Sequence, residues 1–382
     1  MQRQLFDQDH DLYRESIRSF VEQEVVPNYD QWQNDGIVPR TVFTRLGELG
    51  ALGFGIPEEF GGTGVDDFRY NLIMAEEAAR VNVQPALVGP GLHVDIVVPY
   101  FMTMATDEQK ARWLPGMASG ETIAAIAMTE PGTGSDLAGI QTKAVRDGDD
   151  WIVNGAKTFI TNGINADIVI VAVRTGEDRH KGLSLLVLER GMPGFERGRK
   201  LDKMGMHAQD TAELSFTDVR VPAGNMLGAE GDGFAGLTRN LAQERIGASA
   251  GAVAGAESAL ALTIAYVRER KAFGKPIGSN QHTRFVIAEL ATEVDIARIY
   301  VDRCVLALND GSLTPVDAAK AKWWTTELLG RVVDAGVQLH GGYGYMREYP
   351  IAQAWADARV QRIYAGTTEI MKDLIGRSMD LG

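Results

Sequence analysis

The chain has 382 residues, 45% of them hydrophobic and 23% charged, with a formal net charge of −13. That length predicts two or three domains, and the composition is that of a globular enzyme. The acidic balance argues against nucleic acid as a partner, since phosphate binding needs a basic face, and no run of about 18 apolar residues marks a membrane span.

Residues 1–120 read as helix. Leu12, Ile17, Phe20 and Val21 form a helical stripe, Asn71–Arg80 is rich in Ala, Glu and Met, and Gly61-Gly62-Thr63-Gly64 interrupts with a loop. The N-terminal stretch is acidic and lacks an apolar core, so it predicts an amphipathic helix rather than a targeting peptide. From 121 to 229 the period changes. Trp151–Gly155 and Lys157–Gly163 carry strand formers punctuated by Asn-Gly turns, Asp147-Gly148 adds a hairpin signal, and short strands follow up to Pro222. This segment predicts an antiparallel β-domain, a barrel or a sandwich. From 230 to 382 the helical period returns. Long helices are expected from Phe234 to about Arg270, from Gln281 to about Leu308 and from Pro315 to about His340, with a shorter one after Tyr349. Four helices on short connections suggest an antiparallel bundle. The single cysteine, Cys304, reads as a small core residue that can form no internal disulfide, which makes the cytoplasm the simplest compartment.

Several chemistries lack their signatures. Gly132-Thr133-Gly134 and Gly342-Tyr343-Gly344 have Leu137 and Arg347 where a dinucleotide fingerprint needs its third glycine. The six histidines are scattered, so no metal is expected, and no G-x-S-x-G elbow occurs. A phosphate-bearing ligand would have to be held by helix ends, hydroxyls and arginines.

Six constellations remain. Met128–Asp136 exposes amides and hydroxyls at a strand end, which suits a polar ring edge or a pyrophosphate as well as it suits a plain turn. Phe159-Ile160-Thr161 offers an aromatic cover and a hydroxyl, or simply a core aromatic. Glu244 falls on one helical arc with Leu237, Leu241, Ala248, Gly251 and Gly255, so it is either a desolvated base beside space for a ligand or one half of a salt bridge inside the bundle. Arg268–Lys275 supplies four cations at a helix end. Gln338–Met346 places two glycines after a helix, and Arg362–Ile370 is a turn opening another.

Taken together and in this order, the six segments resemble the acyl-CoA dehydrogenase family over almost the whole chain, most closely its long-chain branch. The resemblance implies an α+β, acyl-CoA dehydrogenase-like fold: an N-terminal α-helical domain, a middle antiparallel β-barrel domain and a C-terminal four-helix bundle. It implies FAD-dependent dehydrogenation of an acyl-CoA, with electrons passed to an electron-transferring flavoprotein, in a homodimer or homotetramer. FAD would be bound by Ile126, Met128, Thr129, Gly134, Ser135, Phe159, Ile160 and Thr161. Arg270, Phe273 and Gln281 would hold its pyrophosphate and adenine side. Gln338, Leu339, His340, Gly341 and Gly342 would reach across from a partner subunit, and Thr367 and Glu369 would contact it from the last helix. Ser135, Gln243, Arg245 and Gly366 would contact the substrate.

One departure matters. Many members place the catalytic glutamate between Tyr and Gly-Thr of the sixth segment, where this chain has Ala365. The long-chain and isovaleryl branches put the base on the long bundle helix, and Ala242-Gln243-Glu244-Arg245 matches that placement. Glu244 is then the base, and Ala365 offers its backbone N–H to the thioester carbonyl. Gly89-Pro90-Gly91 is expected to break a helix at the pocket floor and to leave room for long or bulky chains. An isovaleryl-type enzyme, an oxidase of the same fold and a catalytically dead CoA-ligand-binding flavoprotein are the alternatives.

Overall fold

Helices start where the sequence supplies acceptors for the free amides of a first turn. In the computed structural model, which describes residues 3–380, Asp7 accepts from the amides of Asp9 and His10 at the start of α1 (Gln8–Phe20). The N-terminal region continues with α2 (Tyr29–Asp35), α3 (Thr41–Glu48), α4 (Phe68–Arg80), α5 (Gln84–Gly91), α6 (Val98–Met104) and α7 (Asp107–Ser119). Thr106 and Gln109 close a capping box on α7; one such cap stabilises a helix by about 1 kcal/mol. Ile17, Phe20 and Val21 point into the core, but Leu12 is 56% exposed. It lies five residues before Ile17, which turns it roughly 140° off the stripe.

The expected break at Gly89-Pro90-Gly91 does not occur. Helix runs through α5, a π-helical stretch (Leu92–Val97) and α6 without interruption. Pro90 forgoes one backbone bond, and the wide π turn directly after it re-registers the ladder.

The middle region forms one sheet from β1 (Ala124–Ala127), β2 (Lys143–Asp147), β3 (Asp150–Thr161), β4 (Ile168–Arg174), β5 (Leu183–Glu189), β6 (Phe195–Lys200), β7 (Thr211–Pro222) and β8 (Met226–Leu227). Its order is β6-β7-β3-β2-β4-β5-β8, with β1 beside β4. Pairing is antiparallel except where β1 and the first residue of β2 run parallel to β4. β4 is buried on both faces, with Ile168, Ile170 and Ala172 packing with α6 and α7 and Val169, Val171 and Val173 packing inside the β-domain. The sheet is thereby fixed to the helical region. Asp147-Gly148 makes its hairpin, but Asn154-Gly155 is no turn, because β3 passes straight through it. The Asn154 side chain instead pairs with Asp218 on β7, and a Cβ on Gly155 (φ +150°) would meet Thr142 at 2.5 Å.

The C-terminal region has three long helices, α8 (Gly233–Glu269), α9 (Gln281–Asn309) and α10 (Pro315–His340), with shorter α11 (Pro350–Ala358) and α12 (Thr368–Arg377) against α10. A small hairpin of β9 (Lys271–Ala272) and β10 (Lys275–Pro276) follows α8. Ala252, Ala256 and Ala259 let α8 approach its neighbours closely, and α4 packs on its other side. Two helical spans correct the expectation that nothing is long and apolar enough to cross a membrane. Gln84–Met104 and Gly233–Glu269 have windows of mean hydropathy 1.3 and 1.4. Half of each window is buried within the protein, the pattern of core helices.

Candidate active site

Glu244 is buried at 4% exposure on α8, and among the described residues no cation pairs with it. Its Oε1 accepts from the Tyr100 hydroxyl at 2.9 Å. The bundle salt bridge that the sequence left open is therefore not formed. Loss of water pushes the carboxyl up to about 7, opposed in part by the Tyr100 hydrogen bond and the charge of Arg245. Arg245 itself is buried, among the described residues its Nε has no partner, and burial lowers its pKa.

A glycine-lined lane runs down α8 from Glu244. A Cβ on Gly247 would stand 3.5 Å from the Asp95 carboxyl, and one on Gly251 would meet nothing within 4 Å. Across the lane, a Cβ on Gly91 would reach only Asp95 and Met74, each at 3.9 Å. Asp95 accepts from Asn71 Nδ2 at 2.5 Å, and burial pushes it up to about 7 as well. Gln243, expected at the substrate, donates through Nε2 to the Asp95 backbone carbonyl at 2.8 Å and so braces α8 against the π stretch.

Beyond Arg245 lies the turn before α12. Ala365 has φ +52° and Gly366 φ +93°. Lys322, buried on α10, donates from Nζ to the Gly366 carbonyl at 2.6 Å. Burial, then repulsion from Arg245, lowers its pKa to about 8. Thr367 caps α12, and Glu369 is exposed in its first turn.

A ledge opens at the end of β1. Ile126 is buried, Met128 and Thr129 are half-buried, and Gly134 and Ser135 are exposed. The amides of Thr129, Gly134 and Ser135 find no acceptor among the described residues. The Thr158 amide donates to the Thr129 carbonyl, which ties this turn to β3. Buried Lys157 donates to the Met128 carbonyl at 3.0 Å and to Glu130 at 2.8 Å, fixing the turn from behind. Phe159 has φ +60° and stands 68% exposed over the ledge, so the reading as a core aromatic fails; Ile160 is the buried neighbour. Thr161 Oγ1 accepts from Gln209 at 2.8 Å, which leaves its own hydrogen to donate. Asn162 donates to the Gly89 carbonyl at 3.0 Å, which links the ledge to the helix carrying Gly91.

Arg270 is in a different place. With Tyr266, Ile277 and Gln338–Tyr343 it lines a cavity of about 530 Å³ at the far end of α8. Its guanidinium sits 5.4 Å from the centre of the Tyr343 ring. Phe273 is fully exposed at the adjoining hairpin tip, and Gln281 is exposed at the start of α9. Glu244 and Arg270 are roughly 39 Å apart along the helix at its rise of about 1.5 Å per residue. The sequence reading assigned Gln338–Gly342 alone to a neighbouring subunit; in fact Arg270 shares one surface with it.

Sequence reasoning missed Tyr100, Asp95, Lys157 and Lys322. Faint signals existed. Tyr100 and Asp95 interrupt the apolar run Val94–Phe101, and a buried phenol or carboxyl needs a partner. Lys322 shares a helical face with Ala318, Ala319 and Thr326.

Known proteins match along the whole chain. The acyl-CoA dehydrogenase N-terminal, middle and C-terminal domain signatures match residues 7–121, 125–219 and 231–379. The mouse (Mus musculus) mitochondrial long-chain specific acyl-CoA dehydrogenase is 47% identical over 99% of this chain and 88% of its own. The crystal structure of an acyl-CoA dehydrogenase from Geobacillus kaustophilus superposes with a TM-score of 0.96 at 49% identity, covering 98% and 99% of the two chains. A chain from a structure of the electron transferring flavoprotein of Acidaminococcus fermentans, addressing flavin-based electron bifurcation, superposes at 0.93 with 34% identity and complete coverage of both. The chain belongs to the acyl-CoA dehydrogenase family. It is an FAD-dependent oxidoreductase that acts on acyl-CoA. The ledge fits that cofactor: three amides unpartnered among the described residues, a free hydroxyl hydrogen and an exposed aromatic suit a flat ring with a polar edge.

Proposed function

We propose that the enzyme removes two hydrogens from the α and β carbons of an acyl-CoA thioester to give the trans-2-enoyl-CoA, with Glu244 as the base. The observation that supports this most directly is a buried carboxyl without a cation partner among the described residues, beside a glycine-lined lane, with its pKa near neutrality. Such an acid is partly ionised at pH 7 and basic enough to take a weakly acidic α-proton. Tyr100 donates to one carboxylate oxygen and leaves the other for the proton. The Ala365 N–H polarises the thioester carbonyl and stabilises the charge that develops there. FAD, when bound, would supply the acceptor for the hydride that leaves the β-carbon. Met128–Ser135, Phe159–Thr161, Thr367 and Glu369 would hold it within one chain.

The Arg270, Phe273, Gln281 and Gln338–Gly342 surface then serves the FAD of a neighbouring subunit in a homodimer or homotetramer, since Arg270 lies roughly 39 Å along α8 from Glu244. The lane past Gly91, Gly247 and Gly251 suits long or bulky acyl chains, in line with the long-chain specific mouse relative. The likeness to a chain in the Acidaminococcus fermentans structure favours an electron-transferring flavoprotein as acceptor.

The deciding experiment is anaerobic flavin bleaching by acyl-CoA in Glu244→Gln. The amide keeps the volume and removes the basicity, so bleaching should slow by at least about 10²-fold while FAD and acyl-CoA stay bound. Bleaching at the wild-type rate would remove Glu244 from the reaction.

A further inference from the structure

We infer that Lys322 is a positioning residue for the thioester carbonyl: its buried ammonium holds the Gly366 carbonyl and so fixes the Ala365 amide towards the substrate oxygen. This rests on the reading of Ala365 given above. Ala365 and Gly366 both occupy the left-handed region, at φ +52° and φ +93°, and the first is disfavoured for any residue with a Cβ. A turn of that kind persists only where its surroundings hold it. The amides of Ala365 and Gly366 find no acceptor among the described residues, so hydrogen bonds made by those amides do not hold it. A restraint on the turn is the 2.6 Å bond from Lys322 Nζ to the Gly366 carbonyl.

The choice of residue is informative. Lys322 is wholly buried, and among the described residues no carboxylate pairs with it; Glu327 and Glu369 act on it only at longer range. A buried ammonium without a counter-charge opposes folding, and a methionine would fill the same space at lower cost. A second buried cation, Arg245, stands close enough to repel it and lies beside Glu244. Two buried positive charges near this turn would stabilise an oxygen that becomes negative as the α-proton leaves. A clamp that merely tied α10 to the turn before α12 would gain nothing from a second cation.

The test uses the FAD-loaded full chain and a chromophoric β-aryl acryloyl-CoA, whose absorption moves to longer wavelength when its carbonyl oxygen accepts hydrogen bonds. A CoA thioether without the carbonyl serves as the binding control. In Lys322→Met the red shift should largely vanish and flavin bleaching by acyl-CoA should slow by about 10-fold or more, while FAD content and thioether affinity stay within about 2-fold of wild type. A red shift and bleaching rate that survive in Lys322→Met overturn the inference and leave the lysine a structural clamp. A wild-type enzyme that gives no red shift sinks the reading of Ala365, and the inference with it. Should Lys322→Met fail to fold, Lys322→Leu decides, since leucine likewise cannot donate to the Gly366 carbonyl. A diminished shift with wild-type thioether binding supports the role, and an undiminished shift overturns it.

Discussion

A carboxyl that folding takes out of water keeps its proton to higher pH than it does in the unfolded chain. Glu244 goes from 4.5 to about 7, so between those values the native state holds a proton that the unfolded state has released. Its contribution to stability is therefore full below about pH 4.5 and is lost as pH rises through about 7, a swing on the order of 3 kcal/mol. Glu244→Gln should accordingly melt higher than wild type at pH 8 and equal to it near pH 5. A difference in Tm that does not change with pH would mean the acid is not desolvated. Asp95 shifts in the same direction, so the variant should retain part of the wild-type pH dependence. Glu244 was legible in the sequence because it shares a helical arc with small and apolar residues. Its partner was not, because Tyr100 lies 144 positions away and only tertiary packing joins them. Lys322 was hidden for the same reason: its acceptor is a backbone carbonyl that no side-chain pattern announces.

At the scale of elements, periodicity located the long helices well. α10 spans the expected Pro315–His340, since a proline with a Thr314 cap opens it and a glycine closes it. Local turn chemistry misled where tertiary pairing overrode it, as at Asn154-Gly155, whose asparagine is engaged across the sheet. It misled again at Gly89-Pro90-Gly91, where a π stretch keeps the helix continuous. That continuity gives Gly91 a helical conformation in which a larger residue is unstrained, and its side chain would project into the lane past Asp95. Gly91→Met should therefore fold at least as well as wild type. It should lower kcat/KM for a sixteen-carbon acyl-CoA by about 10-fold or more while leaving a four-carbon substrate within about 3-fold. An equal loss on both lengths would show that the lane does not hold the distal chain.

For the whole molecule, an Arg270 surface that serves a neighbour's FAD, as proposed, would make cofactor retention a property of the assembly. Arg270→Ala removes a charge-assisted contact and should weaken FAD binding by about 2 kcal/mol, seen as flavin lost on dialysis. Unchanged retention would take Arg270 out of the site. The same geometry separates the two functions genetically. A chain altered at Glu244 still offers its neighbour an intact Arg270, and a chain altered at Arg270 still holds an intact base. Refolding Glu244→Gln together with Arg270→Ala should therefore produce mixed oligomers in which one class of site has both wild-type halves, and, at FAD low enough to leave Arg270→Ala flavin-free, activity absent from either parent alone should return by complementation.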